Sequence, residues 1–328
     1  MAMKNVIRHI SGGIAGVLAM VVSFAALAQS YPARPIELIS HTSAGSGTDV
    51  VARALADVVR RENLLPQQFV VVNRVGGAGV IAYTFFKTKR GDPYYMITVS
   101  PTLLAMAHRP DVNIGLENYT PLALFAIDPQ TIMVPADSPF ATFKDLVAAA
   151  QKQPDSLVAA TTSVQGTGRL VLYLIEKAAP GAKFKFVTFK GGGEAATSVA
   201  GGHTHFTTEN LSEGLGLLEA KKLRVLGVAA DRRLPQIPDV PTLKELGYAV
   251  EAGTTRGFAF PAGVPKEAVT VMETALERAH KTQAWKEHAA RNMYLDVYMN
   301  GADFGRFLAT RLAEVRGFYD AVGLGAKP

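Results

Sequence analysis

Short apolar segments rich in β-branched and aromatic residues alternate along the chain with longer segments in which apolar residues recur every three or four positions. The short segments predict strands and the longer ones predict amphipathic helices. The predicted strands are 36–39, 69–72, 95–99, 131–134, 158–160, 184–187, 205–208 and 225–229. The predicted helices between them are 49–61, 80–87, 142–151, 168–179, 194–200 and 212–220. This alternation favours an α/β fold with parallel-rich sheets.

The C-terminal part of the chain has a different pattern, because residues 265–291 and 302–322 both predict helices. Prolines and glycines interrupt the apolar pattern between Pro121 and Pro135, and again between Pro235 and Gly247. Such interruptions indicate domain boundaries and crossing segments. A chain of 328 residues, of which 48% are hydrophobic, is too long for one ordinary domain, so we expect two.

Composition removes several classes of chemistry. The sequence contains no cysteine, which excludes disulfide scaffolds, thiol nucleophiles, thiolate zinc sites and iron–sulfur clusters. The formal net charge is +6, but the lysines and arginines are scattered and form no run of five. We therefore expect no nucleic-acid partner, and a basic surface of this kind suits small anions.

The first 28 residues have the features of a secretory signal peptide. Lys4 and Arg8 precede the uncharged apolar stretch 14–27, and Ala26–Ala28 has the small-x-small pattern that signal peptidase cleaves. The alternative is an uncleaved membrane anchor, because residues 10–28 nearly reach the ~20 residues that span a bilayer. We expect cleavage, and hence an exported protein in a periplasm-like compartment.

Two loops rich in glycine, serine and threonine carry most of the candidate chemistry. Residues 43–49 (SAGSGTD) and 161–168 (TTSVQGTG) each follow a predicted strand and open a predicted helix. Small residues let the backbone approach a ligand, and the free N–H groups of the first helical turn can bind an anion. The alternative is a pair of tight turns with Ser and Thr caps. Their corresponding positions in the two halves favour a shared anion site.

Nucleotide and serine-hydrolase motifs fail at specific positions. Gly45–Gly47 begins a G-x-G, but Val50 stands where the dinucleotide fingerprint requires its last glycine, and no Walker A sequence is present. A nucleophile elbow around Ser46 would need glycine at Ala44 and Thr48. These sequences therefore support neither chemistry.

One cluster approaches metal-ligand density, namely His203 and His205 with Glu209. Both histidines would lie on one face of a strand, but zinc also needs a third and usually a fourth ligand, which the sequence does not place. We expect neither a metal nor a resident cofactor.

An ordered series of motifs identifies a family resemblance. The motifs are 31–36 (YPARPI), 44–53 (AGSGTDVVAR), 72–74 (VNR) with glycines at 76, 77 and 79, 189–195 (FKGGGEA), 239–242 (DVPT), 245–247 (ELG) and 260–265 (FPAGVP). Taken together they resemble the Bug family, also called the TctC family, the substrate-binding proteins of tripartite tricarboxylate transporters. The resemblance covers nearly the whole chain after residue 28.

The resemblance implies a two-lobed periplasmic binding protein that closes on an organic carboxylate and delivers it to a membrane permease. Lobe 1 would comprise residues 29–128 and 252–328, and lobe 2 residues 129–251. The segments 127–130 and 249–253 join the lobes and are the hinge candidates. We expect a monomer that is not an enzyme.

The family's two βα loops hold the ligand carboxylate, and this sequence has matching residues. In the first loop they are Ser43, Ala44, Gly45, Ser46, Gly47 and Thr48, and in the second Thr162, Ser163, Gly166 and Thr167. His205 and Asn210, near the end of a lobe 2 strand, are further pocket candidates. Asp49 is expected to cap its helix, since a carboxylate facing a carboxylate ligand would repel it.

Arg256 stands where the family commonly carries an aromatic residue beside the cleft. A guanidinium there could bind a second carboxylate through two hydrogen bonds, and the alternative is a surface arginine with an acidic neighbour. The first alternative predicts a dicarboxylate ligand, with terephthalate as a rigid aromatic example. Two other functions stay open: an exported hydrolase using Ser46 or Ser163 with a histidine, and a ligand sensor for a signalling partner.

Overall fold

A computed structural model of the chain describes residues 31–109 and 111–323. Its strands are β1 (Ile36–Ser40), β2 (Phe69–Asn73), β3 (Tyr95–Val99), β4 (Tyr119–Pro129), β5 (Thr131–Pro135), β6 (Leu157–Thr161), β7 (Phe184–Thr188), β8 (Phe206–Thr207), β9 (Leu223–Val228), β10 (Gly253–Pro261) and β11 (Leu295–Asn300). Its α-helices are α1 (Gly47–Arg61), α2 (Val80–Lys87), α3 (Pro101–Ala107), α4 (Phe143–Lys152), α5 (Thr167–Ala178), α6 (Gly192–Ala200), α7 (Leu211–Glu219), α8 (Lys266–Lys281), α9 (Gln283–Arg291) and α10 (Gly301–Ala321). Short 3₁₀ turns lie at Gly77–Gly79 and Leu116–Asn118.

The strands form two mixed sheets, and the α/β fold class is confirmed. The first sheet has the order β11-β4-β10-β3-β1-β2, and the second has the order β7-β6-β8-β5-β9. In each sheet the strands that precede the predicted loops run parallel to their neighbours: β1 to β2 and β3, and β6 to β7 and β8. The antiparallel pairs involve β4, β5 and β10. The sheets are therefore mixed rather than mainly parallel.

The two sheets are joined where β4 continues into β5 and where the chain returns into β10. Gln130 separates β4 from β5, and its N–H donates to the Ala252 carbonyl at 3.2 Å. The crossing segments run antiparallel, with Gly253 opposite Pro129. Strands of the first sheet fall within residues 36–129 and 253–300, and those of the second within 131–228. These memberships support the predicted lobe boundaries, which remain a prediction.

Helices cover both sheets, because each helix has one apolar face that packs against a sheet. Along α1, the buried residues Val51, Leu55, Val58 and Val59 recur at helical spacing and pack against the first sheet. The C-terminal helices α8 and α9 close the same core, and Trp285 of α9 is fully buried there. Helix α10 packs on β4 and also reaches α5, where the rings of Phe318 and Tyr173 lie 5.7 Å apart.

Three strands and one helix were not predicted. Strands β4 and β10 contain prolines or glycines that predict turns, yet their antiparallel pairing places these residues inside the first sheet. Strand β11 and helix α3 are short and have weak periodicity. The predicted helix 265–291 is two helices, because Thr282 ends α8 and caps α9 by accepting the Trp285 N–H.

The predicted signal peptide, residues 1–28, lies outside the described residues. Among the helices that the structure describes, none combines the length and apolar character needed to cross a membrane.

Candidate functional site

A cavity of about 570 Å³ lies between the two sheets, at the point where the chain crosses from one to the other. Its volume is within the range of small-molecule sites. Both predicted loops contribute to its wall, together with the crossing strands and α10. Of the predicted site residues, the following line it: Thr48, Thr162, Ser163, Gly166, Thr167 and Asn210. Residues 43–47, His205 and Arg256 do not appear in the wall.

The two loops share a hydrogen-bond pattern but differ in backbone conformation, because Gly45 has a positive φ of 82° and the corresponding Gln165 does not. The Ser46 N–H donates to the Ser43 carbonyl in the first loop, and the Gly166 N–H donates to the Ser163 carbonyl in the second. Each helix then begins in the same way, because Ser46 and Gly166 are both extended N-cap residues whose carbonyls accept the first helical hydrogen bond. The first-turn N–H groups of α1 and α5 therefore have no partner inside their own helix. These groups form two matching sites for a hydrogen-bond acceptor.

Asp49 holds the first loop in place through hydrogen bonds to its carboxylate. Its buried carboxylate accepts the Gly45 N–H at 2.9 Å, the Arg53 Nε–H at 2.8 Å and the Asn73 amide at 2.7 Å. The pKa of Asp49 is lowered, because these hydrogen bonds outweigh the effect of its burial. Asp49 therefore stabilises the loop from the first turn of α1, where Ser46 is the N-cap residue. Residues 43–45 are exposed at the loop tip.

Arg256 is buried beside the start of α1, and its guanidinium is already paired with a carboxylate of the protein. Its guanidinium is 7% exposed, and Nη2 donates to the Asp128 carboxylate at 2.5 Å. A Cβ added to Gly47 would lie 2.6 Å from Nη2, so only glycine allows this approach. The predictions of a second-carboxylate site and of a surface arginine are therefore both wrong. The guanidinium instead adds positive charge beside the first-turn N–H groups of α1.

Glu209 occupies the corresponding place beside α5. Its Oε1 accepts the Thr162 N–H at 2.9 Å and the Thr162 hydroxyl at 3.2 Å. A Cβ on Gly168 would lie 2.8 Å from the same oxygen. Glu209 lines the cavity and is 5% exposed, and burial raises its pKa to about 7 despite the hydrogen bonds from Thr162. One loop thus has a guanidinium against its helix and the other has a carboxylate.

Asn210 connects the second sheet to both crossing strands. Its amide donates to the Asp128 carbonyl at 2.7 Å, and its Oδ1 accepts the Thr254 hydroxyl at 3.4 Å. The side chain lines the cavity, but its polar atoms are directed to the crossing segments. The Asn210 side chain thus links the second sheet to β4 and β10 at the cavity.

His205 is away from the cavity, which corrects its prediction as a pocket residue. It precedes β8 at the amino end of that strand, where its side chain is exposed and Nδ1 accepts the Val158 N–H at 3.0 Å. Ligand sites in such sheets lie at the carboxyl ends, where Glu209 and Asn210 follow β8. Strand β8 therefore lies between His205 and Glu209, so these candidate metal ligands do not come together. Within the described residues, the structure contains no group of three His, Asp or Glu placed to bind a metal.

Several buried polar atoms near the cavity lack a hydrogen-bond partner within residues 31–109 and 111–323. They belong to residues that line its wall: His41 (Nδ1), Gln130 (Oε1) and Thr255 (Oγ1). Buried polar groups normally have partners, so these atoms are free to hydrogen-bond a bound molecule or water. The His41 ring is neutral at pH 7, because burial and the nearby Arg256 charge lower its pKa to about 4.

Within residues 31–109 and 111–323, neither serine named for a hydrolase has a histidine partner. The Ser46 hydroxyl bonds to the Thr42 hydroxyl, and the Ser163 hydroxyl accepts the Gln165 N–H. His41 instead contacts Ser100 at 3.1 Å, but the other ring nitrogen of His41 has no acid to orient it. A histidine with a pKa near 4 is also a weak general base at neutral pH.

The far wall of the cavity is formed by α10 and the second sheet. Arg311 there pairs with Glu251 and Glu314. Among the described residues of the wall, the carboxylates are Glu209, Asp231, Glu251 and Glu314, and the cationic side chain is Arg311. The wall on this side is therefore acidic.

Sequence reasoning missed Glu209, His41, Gln130 and Thr255 as cavity residues. Glu209 directly follows a predicted strand, so the strand-end rule that selected Asn210 could have selected it too. Thr255 is on β10, which was not predicted, and Gln130 lies between the unpredicted β4 and the predicted β5, where no local motif marks it.

Comparisons with known proteins show the family and support the fold. The model of the tripartite tricarboxylate transporter family receptor (TctC) matches residues 51–324. The solved structure of a TctC solute binding protein from Polaromonas is 31% identical, with a TM-score of 0.77, and covers 89% of this chain and 100% of its own. Rpa4515 from R. palustris, solved with adipate, is 25% identical, with a TM-score of 0.77, over 90% of this chain and 99% of its own. A protein of Cupriavidus necator, the UPF0065 protein in the gbd 5' region, is 26% identical over 91% of this chain and 90% of its own.

Proposed function

Because the chain belongs to the TctC family of periplasmic solute-binding proteins, which are receptors and not enzymes, we propose that it captures a small organic carboxylate in this cavity. Closure of the two lobes around the ligand and delivery to a membrane permease complete the proposal. We further propose that residues 1–28 are cleaved as a signal peptide and that the exported chain is a monomer. N-terminal sequencing of the exported protein tests the cleavage site.

One observation carries the ligand class, namely the first-turn N–H groups of α1, backed by Arg256 and facing the cavity wall at Thr48. A helix N-terminus contributes about 0.3 to 1 kcal/mol toward a nearby anion, and ~2 kcal/mol when partly buried. The Asp128 carboxylate offsets part of the guanidinium charge, so backbone N–H groups are the main donors in this proposal. The adipate complex of Rpa4515 supports a carboxylate as ligand.

The crossing segments support closure around the ligand. Gln130 and Asn210 join the two sheets at the cavity, through a β-bridge between them and hydrogen bonds to residues 128, 129 and 252. A ligand that contacts both loops binds the closed arrangement better than the open one and shifts the population toward it. In this proposal the permease recognises the closed form.

Dicarboxylates, including terephthalate, stay within the proposed ligand class. Their second carboxylate has no free guanidinium at Arg256, which is paired with Asp128. The second carboxylate of a dicarboxylate must therefore bind a group of the protein other than Arg256.

A thermal-shift screen of the chain from residue 29 tests the proposal. The ligands are mono-, di- and tricarboxylates, each beside its uncharged amide. A ligand at one hundred times its Kd stabilises by about 2.7 kcal/mol, so we expect a clear rise in Tm for at least one carboxylate and none for its amide. A screen in which no carboxylate raises Tm would contradict the proposal.

Substitutions in the two loops test whether the ligand that raises Tm binds in this cavity. Thr48→Val and Thr167→Val each remove a hydroxyl at the cavity wall, and we expect both to reduce the ligand-induced shift. Thr270→Val is the matched control, since Thr270 is exposed on α8 and its hydroxyl bonds only within that helix. Equal effects of all three variants would mean that the ligand binds elsewhere.

A further inference from the structure

The two loops share the same turn hydrogen bond and helix start but have opposite charges beside them. At α1 the neighbouring charge is the guanidinium of Arg256, which closely approaches Gly47. At α5 it is the carboxylate of Glu209, which closely approaches Gly168. The similar helix starts alone would suit a carboxylate at either end of the cavity. The two charges make the ends different.

Glu209 is held in a defined position by its neighbours. Both hydrogen bonds from Thr162 go to Oε1, and the hydrogen bonds of the described residues do not use Oε2. Glu209 lines the cavity, so Oε2 keeps its acceptor capacity for a group bound there. The positive end of α5 favours the ionised carboxylate, whereas burial opposes it by raising the pKa of Glu209 to about 7, and a cation bound at Glu209 would favour the ionised form.

In the part of the chain that the structure describes, no lysine, arginine or histidine forms an ion pair with Glu209. The charges acting on it include those of Glu213 and Asp128, which are also acidic. A buried carboxylate normally requires a counter-ion. The acidic far wall provides no free cation, because Arg311 is shared between Glu251 and Glu314.

We propose that Glu209 binds a positively charged group of the ligand, so that the ligand is a carboxylate that also carries an ammonium group. The ligand carboxylate lies against the start of α1, and its ammonium donates to Glu209 beside α5. Glu209 is then the residue that selects such ligands over plain dicarboxylates, whose second negative charge would face Glu209 and the acidic wall. This inference rests on the proposed capture of a carboxylate.

Calorimetric titration of matched ligand pairs tests the inference. The pairs differ by one ammonium group: glutamate and glutarate, aspartate and succinate, and γ-aminobutyrate and butyrate. For the wild-type chain we expect the ammonium-bearing member of at least one pair to bind ten- to a hundredfold more tightly. Glu209→Gln keeps the size of the side chain and an acceptor for Thr162, and it should remove most of this preference while leaving the partner without the ammonium unchanged or tighter.

Glu219→Gln is the matched control, because Glu219 is exposed at the end of α7 and outside the cavity wall. It should leave the preference within twofold of wild type. Equal or tighter binding of the plain carboxylates by the wild-type chain would overturn the inference while leaving the proposed function intact. Equal weakening of both members by Glu209→Gln would overturn it as well, since Glu209 would then act only on the loop. Failure of every carboxylate to bind would overturn the proposed function too.

Discussion

Arg256 and Asp128 form a buried ion pair between neighbouring strands β10 and β4, directly beside the start of α1. Nη2 of Arg256 lies 2.5 Å from Oδ2 of Asp128, and the same guanidinium lies 3.5 Å from the Thr48 hydroxyl. Burial raises the pKa of Asp128 to about 6 against the opposing effect of Arg256, so the pair is ionised at neutral pH. Burial would lower the pKa of Arg256, but Asp128 outweighs it and the net pKa is raised. The pair links the crossing strands to the proposed carboxylate end of the cavity.

Removal of one member of this pair should destabilise the protein strongly. Arg256→Ala leaves the Asp128 carboxylate buried without its cation, which typically costs about 3 to 5 kcal/mol. Chemical denaturation measures the free energy of unfolding. Arg53→Ala, which removes an exposed partner of Asp49, is the control, with an expected loss of less than about 1 kcal/mol.

The double variant Arg256→Met with Asp128→Leu separates stability from binding. Replacing a buried ion pair by apolar residues of similar size is often neutral, so most of the stability should return. Carboxylate affinity should stay reduced, because the guanidinium beside α1 is gone. Full recovery of affinity by the double variant would show that Arg256 has only a structural role.

The close approach of Gly47 to Arg256 gives a second prediction. In Gly47→Ala the new methyl group would lie 2.6 Å from Nη2, so the guanidinium must move and the start of α1 with it. We expect at least a tenfold loss of carboxylate affinity, measured by calorimetry. Gly216→Ala is the control, because it adds a methyl group to helix α7 where nothing lies within 4 Å. An affinity of Gly47→Ala equal to that of Gly216→Ala would refute the role given to this contact.

The local chemistry of the loops could be predicted from the sequence, but the charges beside them could not. Residues 43–49 and 161–168 each contain a turn and a helix start within a few positions, so their shared turn hydrogen bond and helix start can be predicted locally. The Arg256–Asp128 pair joins positions 128 residues apart, and Glu209 reaches Thr162 across 47 residues. Such contacts depend on strand order, and β4 and β10 were hidden by their prolines and glycines. His205 was misplaced because it opens the predicted strand 205–208, whereas ligand sites lie at the carboxyl ends of such strands, where Glu209 and Asn210 follow β8.

The crossing segment at Gly253 should be intolerant of a side chain. A Cβ there would lie 2.5 Å from Cγ2 of Ile127 and 3.1 Å from the Asp128 carbonyl. Gly253→Ala should therefore lower the free energy of unfolding by about 1 to 3 kcal/mol, as overpacking typically does. Ile127→Ala added to Gly253→Ala removes one clash, and the loss should then be smaller than the sum of the two single losses. Additive losses would contradict a direct contact.

The raised pKa of Glu209 predicts that the free energy of unfolding depends on pH, with a defined sign. Burial raises its pKa from 4.5 to about 7, so the ligand-free folded state binds more protons than the unfolded state between these values. The contribution of Glu209 to the free energy of unfolding therefore falls as the pH rises from 4.5 to 7. His41, whose pKa burial and Arg256 lower to about 4, contributes the opposite slope between pH 4 and 6.5.

The difference between wild type and Glu209→Gln isolates Glu209 from His41. Relative to wild type, the variant should become more stable as the pH rises through this window, as measured by urea denaturation at several pH values. A difference that does not change with pH would mean that the Glu209 carboxyl titrates near its ordinary pKa.

A crystal structure with the tightest-binding carboxylate from the screen tests the central claim most directly. The account predicts that the carboxylate oxygens lie within about 3 Å of the first-turn N–H groups of α1, at Gly47 and Thr48. A bound carboxylate that contacts neither of these groups, and lies instead against Arg311 or outside the cavity, would contradict the account.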